Sequence, residues 1–119
     1  MDIARDLDRL KQLGQKGSIP LSDLQGGTIT LSNIGNIGGT LLHPVLVEGQ
    51  FCIGGLGKIQ TLPRFDPNDS SYTKIVPSKI LDVSFNADHR VIDGATMARF
   101  VSTWKHYLER PSVMLAELK

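Results

Sequence analysis

The strongest constraint on this chain is a change of period near its C-terminal end. In KILDVSFNA, residues 79–87, Ile80, Asp82, Ser84 and Asn86 fall on one side and Leu81, Val83, Phe85 and Ala87 on the other. That alternation predicts a strand. From Met97 onward the apolar positions are Met97, Phe100, Val101, Trp104, Tyr107 and Leu108. Their spacing is that of a helix with one apolar stripe, and the stripe predicts core packing. Between the two lies ADHRVIDGATM. A strand must end there, turn, and enter a helix near Asp93 or Gly94. The turn carries Asp88, His89, Arg90 and Asp93, which makes it either a capped connection or a reactive site.

The rest of the chain fits around that unit. Ile3, Leu7, Leu10 and Leu13 predict a helix over residues 2–13, with Asp2 at its start and Gly14 and Gly17 after its end. SIPLSDLQGG is a connector. TITLSNI, residues 28–34, predicts a strand with one polar face. PVLVEGQFCIGGLGKI predicts two short apolar strands broken at Gly49-Gln50. PRFDPNDSSY, with two Pro, two Asp, an Asn and two Ser, predicts a surface loop. Pro111 either closes the long helix or begins a last short one through Met114, Leu115 and Leu118. Helix, strands, then helix gives an α+β class with a mixed or antiparallel sheet, and 119 residues give one domain.

Composition narrows the partners. Charged residues are 21% of the chain and the net charge is +1, so no charge field favours nucleic acid or a membrane. No apolar run approaches the ~20 residues of a membrane helix. MDIARDLDRL has acids too early for a signal or transit peptide. Either the chain is made where it works or it is a piece of something longer. The single cysteine, Cys52, cannot form an internal disulfide. It suggests a reducing compartment, and its apolar neighbours suggest a buried filler. His43 reads as a loop residue and His106 as a surface position on the helix.

His89 is the side chain best suited to accept a proton near neutral pH, and it sits where strands place reactive groups. Asp93 reads equally well as the helix N-cap. Arg90 reads as the partner of a carboxylate that fixes the turn. A metal held by Asp88, His89 and Asp93 is disfavoured, because no further His or Cys stands at ligand spacing. GGLG is not followed by a helix, so a dinucleotide-type phosphate loop is disfavoured too.

SFNADHRVIDGATMARF resembles the H-x-x-x-D-G segment of the dihydrolipoamide acyltransferases of 2-oxo acid dehydrogenase complexes. GTITLSNIGNIGGT, upstream and in the expected order, is similar to that family's T-x-S-N-x-G stretch. Together with PRF, these stretches look most like the branched-chain members. The resemblance implies a chloramphenicol acetyltransferase-like fold, a mixed sheet flanked by helices, of which residues 1–119 supply about the C-terminal half of the catalytic domain. It implies acyl transfer between dihydrolipoamide and coenzyme A. His89 matches the family's base and Ser32 its oxyanion donor. Asp93 matches the motif aspartate, and Ser32, Asn33, Gly57 and Lys58 fall where the family approaches coenzyme A. No metal is implied. The implied partners are two further copies in a homotrimer building a larger core, with His89 of one chain meeting Ser32 of its neighbour. A lipoyl domain, a decarboxylase and a dihydrolipoamide dehydrogenase would complete the complex. The implied location is the mitochondrial matrix in a eukaryote and the cytoplasm otherwise. The chain shows no lipoyl-lysine motif and no subunit-binding domain. The alternatives are an inactive assembly fragment and a relative moving acetyl or succinyl groups. A half domain exposes apolar surface, so the chain alone is expected to be inactive and poorly folded.

Overall fold

The structure, a computed structural model, describes residues 2–118. Helix α1 spans Asp2–Gln15, β1 Ile29–Asn33, β2 Cys52–Leu56, β3 Gln60–Phe65, β4 Ile75–Ile80, β5 Val83–Ala87, α2 Gly94–Glu109 and α3 Pro111–Glu117. The α+β expectation is met. Pro111 begins a separate helix rather than closing the long one, as its fixed φ and missing N–H favour at a first helical position.

The strands form two sheets. The first has the order β1-β2-β5, with β1 parallel and β5 antiparallel to the central β2, so it is mixed. Its register aligns Leu31, Gly54 and Phe85 in one row and Ser32, Gly55 and Ser84 in the next. Neighbouring rows face opposite sides. Each of the two central glycines therefore opens one face. A side chain on Gly54 would lie 2.5 Å from the Phe85 ring, and one on Gly55 would lie 3.1 Å from Leu42. Phe85 stacks edge-on against Phe100 and Trp104 of α2, at 5.5 and 5.6 Å between ring centroids. Leu42 and Pro44 cover the other face, and the Asn86 amide donates to the Pro44 carbonyl.

The second sheet is the hairpin β3-β4, and it corrects three expectations. Residues 79–87 are not one strand: Ile80 ends β4 and Val83 begins β5, because the carbonyl of Asp82 turns to accept Gly57 N–H at 3.1 Å. Residues 44–48 are irregular rather than a strand, since their main chain folds over the sheet instead of pairing with it. PRF lies in β3, not in a loop. Pro63 and Pro77 stand directly opposite each other. In a two-stranded sheet their missing N–H groups point outward, where no ladder bond is lost.

The core is small. Among the described residues the buried hydrophobic side chains are Cys52 and Ile53, each 5% exposed. Cys52 is thus the apolar filler expected of it, and burial pushes its thiol pKa up. The helical stripe is only partly core. Met97, Val101, Trp104 and Tyr107 are half-buried, while Phe100 and Leu108 stay exposed, because a single sheet lies on one side of them.

Candidate functional site

The residues singled out from the sequence gather at two opposite ends of the first sheet. At one end β1 and β2 run out side by side. Asn33, Gly35, Gly57 and Lys58 line an open cleft there with Leu56 and Ile59. The main chain sets its shape. Asn33 Oδ1 accepts Gly35 N–H at 3.1 Å, and Lys58 N–H donates to the Gly39 carbonyl at 2.8 Å. A side chain on Gly57 would come within 2.1 Å of the Thr40 carbonyl oxygen, and one on Gly35 within 2.4 Å of the Gly57 oxygen. Only glycines let these segments cross. Ser32 is the strand residue just before the cleft, half-buried in its row with Gly55 and Ser84.

The other end holds the motif turn. Asp88 N–H donates to the Phe51 carbonyl at 2.9 Å, which ties the turn to the entrance of β2. The Asp88 carbonyl accepts Val91 and Ile92 N–H at 3.1 and 2.9 Å. The Asp88 carboxylate accepts the Arg90 N–H at 3.0 Å and its guanidinium at 2.6–3.0 Å. Arg90 thus has the carboxylate partner the sequence suggested. Those bonds hold the Asp88 carboxyl pKa down at about 2. Asp93 caps α2, its Oδ1 accepting Thr96 N–H at 2.7 Å. Its pKa is lowered first by that bond, and further by the nearby charge of His89. His89 itself is exposed. His106 is an exposed residue of α2, and His43 lies in irregular chain.

The structure therefore places His89 and Asp93 on one turn, with the Asp93 carboxylate engaged by Thr96, and brings Asn33, Gly57 and Lys58 together with Ser32 beside them. It does not bring His89 to Ser32. Ser32 is level with Ser84, three residues before the end of β5 and two strands away. By sheet spacings that is roughly 14 Å even to Ala87, and His89 lies beyond. Among the described residues no group of three His, Cys, Asp or Glu converges as a metal cluster. Sequence reasoning missed Gly35 and Thr40, which shape the cleft by main-chain contact, something side-chain spacing does not signal.

Residues 1–116 match the family described as 2-oxoacid dehydrogenases acyltransferase (catalytic domain). The lipoamide acyltransferase component of the mitochondrial branched-chain alpha-keto acid dehydrogenase complex of Caenorhabditis elegans is 55% identical over 99% of the chain, and the mouse component is 52% identical over 99%. Acetyltransferase components of bacterial pyruvate dehydrogenase complexes stand lower, at 30–34%. The chain spans about a quarter of the length of the branched-chain relatives, 25% and 24%. A dihydrolipoamide acetyltransferase from Azotobacter vinelandii superposes with a TM-score of 0.84 at 29% identity, over 96% of this chain and 45% of that one. The crystallographic work on that enzyme concerned the roles of a serine, a histidine and an asparagine in its catalytic mechanism.

Proposed function

This chain belongs to the family of 2-oxoacid dehydrogenase acyltransferase catalytic domains, and from that premise we propose that it is the His-bearing part of a lipoamide acyltransferase of the branched-chain type. The drop in identity from 55% to about a third between the two kinds of relative supports the branched-chain assignment. The reaction is acyl transfer between dihydrolipoamide and coenzyme A, both of them substrates. The four-residue step from His89 to Asp93 matches that between the histidine and asparagine of the Azotobacter enzyme.

The chemistry follows from the side chains. A thiol with a pKa of about 8.5 is mostly protonated at neutral pH, and the thiolate is the nucleophile. The imidazole of His89 takes the thiol proton as the sulfur attacks the thioester carbonyl. The Ser32 hydroxyl donates to the resulting oxyanion. As the intermediate collapses, the second sulfur leaves and takes the proton back from the imidazolium. Asp93 fixes the start of α2 beneath the histidine turn, and its lowered pKa keeps a negative charge beside the imidazolium. Asn33, Gly57 and Lys58 receive coenzyme A in the cleft at the Ser32 end.

The observation that carries this reading is the separation of His89 from Ser32 along the sheet. One copy supplies two half-sites at opposite ends, as a site shared between neighbouring subunits of a trimer requires. The trimer builds a larger core, served by a lipoyl domain, a decarboxylase and a dihydrolipoamide dehydrogenase, in the mitochondrial matrix of a eukaryote; the animal relatives are named as mitochondrial. The test is the rate of acyl transfer from acyl-dihydrolipoamide to coenzyme A by the assembled enzyme. His89→Ala lowers it on the order of 10²–10⁴-fold, the loss of a general base, and Ser32→Ala lowers it by the equivalent of about 3 kcal/mol, one oxyanion donor. Unchanged rates in both variants reject the assignment.

For the 119 residues taken alone, a second reading, an inactive assembly fragment, has its own support. The exposed apolar residues include Ile3 on α1, 79% exposed, and Leu31 on the sheet, 56% exposed, and such surface calls for a cover. A monodisperse, fully active species of this chain alone would exclude that reading.

A further inference from the structure

We propose that Asp88 and Arg90 are positioning residues for His89, a role that rests on the reading of His89 as the base. Within one chain His89 is exposed, so no side chain of its own copy packs on the ring, and what the chain itself fixes is the main chain that carries it. That main chain is closed into a ring. On the side-chain side, the Asp88 carboxylate grips both the Arg90 N–H at 3.0 Å and the guanidinium at 2.6–3.0 Å, spanning His89. On the main-chain side, Val91 and Ile92 N–H converge on the Asp88 carbonyl. The ring is anchored at both exits. Asp88 N–H is bonded to Phe51 at the entrance of β2, and Asp93 caps α2 through Thr96.

Stability alone does not account for this arrangement. The Arg90 side chain is 87% exposed and that of Asp88 17%, so the guanidinium end of the pair stands in water and is screened, while the sheltered end is the carboxylate beside His89. What a two-point grip between residues i and i+2 does supply is rigidity of the residue between them. A planar guanidinium fork fits a carboxylate in one geometry, whereas an ammonium is a point charge that fits many. The two neighbours of His89 thus hold each other, and the imidazole projects from a turn tied on both sides. Catalysis by a base requires this, since a misplacement of about 1 Å lowers rate on the order of 10²-fold.

The experiment uses the assembled transferase carrying Asp88→Ala, Asp88→Asn, Arg90→Ala or Arg90→Lys, each alone and combined with His89→Ala. Asp88→Ala is expected to lower kcat on the order of 10²-fold with the KM for coenzyme A unchanged. Asp88→Asn keeps the acceptor for Arg90 N–H and recovers part of the loss. Arg90→Lys recovers little over Arg90→Ala. In the His89→Ala background Asp88→Ala has no further effect, because the group it positions is gone. If Asp88→Ala disturbs assembly, seen by light scattering, Arg90→Ala carries the same comparison. A loss of equal size with and without His89, or a KM effect with kcat unchanged, overturns the positioning role while leaving His89 as the base. If His89→Ala alone leaves kcat unchanged, the base reading fails and this proposal falls with it.

Discussion

The two sheets of this chain are held by different physics. In β1-β2-β5 the central strand is nearly side-chain-free at Gly54-Gly55, and its neighbours close over it: Phe85 with Phe100 and Trp104 on one face, Leu42 and Pro44 on the other. Among the described residues no helix packs along the hairpin β3-β4, and only the end of β4 borders α2, across an open cleft. The hairpin's hold is at its tip, where the Asp69 carboxylate accepts the N–H groups of Ser71, Thr73 and Lys74 at 3.0, 2.9 and 2.8 Å. Lys74 closes the base of the loop on Asp66 at 2.7 Å, and Tyr72 is held at a φ of +54°. The packed sheet carries both candidate half-sites, and the polar hairpin carries neither. Apolar closure gives the precision a site needs, and a polar knot needs only to keep a loop in shape.

Substitutions separate the two regimes. The largest effect is expected from Gly57→Ala, whose new methyl meets main chain that has nowhere to move, at 2.1 Å from the Thr40 oxygen. Overpacking of this kind costs about 3 kcal/mol or more, read as a fall in the urea midpoint of the assembled domain. Gly54→Ala meets ring atoms instead of main chain and is expected to cost less. A midpoint lower for Gly54→Ala than for Gly57→Ala would contradict this ranking. Next comes Phe85→Ala, which removes the half-buried ring that α2 leans on and is expected to cost about 2 kcal/mol. Amide exchange should quicken in β5 and α2 and stay unchanged in β3 and β4.

Smaller and more local is Asp69→Ala. Exchange at Ser71, Thr73 and Lys74 should rise sharply with the urea midpoint unmoved, and a fall in midpoint would show that the hairpin belongs to the cooperative core. Smallest is the effect of acid. Asp88 is held at about 2 against about 3.9 in an unfolded chain, so its contribution is complete above about pH 4 and is lost as the pH falls toward 2. Asp66, Asp69 and Asp93 are lowered as well, first by Lys74, Ser71 and Thr96 respectively, and weaken in the same direction. Melting temperatures between pH 5 and 2 should fall less steeply for Asp88→Asn than for the parent chain.

Much of the packed region was legible in the sequence because its signals are local. The period change around ADHRVIDGATM marks β5, the turn and α2, and Asp93 stands where a cap belongs. The hairpin was not, because Pro63 and Pro77 argue against strands unless each is known to face the other with both outer edges free. The break at Leu81-Asp82 is invisible as well: alternation runs through it, and only the bond from Gly57 to Asp82 turns the chain. Within the candidate site, residue types were readable and proximity was not. Nothing in the spacing of Ser32 and His89 tells that a parallel and an antiparallel pairing send them to opposite ends of one sheet. Leu31 shows the same limit, as an apolar residue of β1 that is more exposed than its polar neighbour Ser32. Pattern assumes a covering layer, and the β1 edge has none among the described residues.

The central claim is that His89 and Ser32 act together only across two chains. The direct test mixes two impaired assembled enzymes, one carrying His89→Ala and the other Ser32→Ala, and lets their subunits exchange. Sites shared between neighbours regain about a quarter of the parent activity, since a closed ring pairs an intact Ser32 with an intact His89 at one interface in four on average. A mixture whose rate stays at the low level of the two variants after their subunits have exchanged would contradict the account.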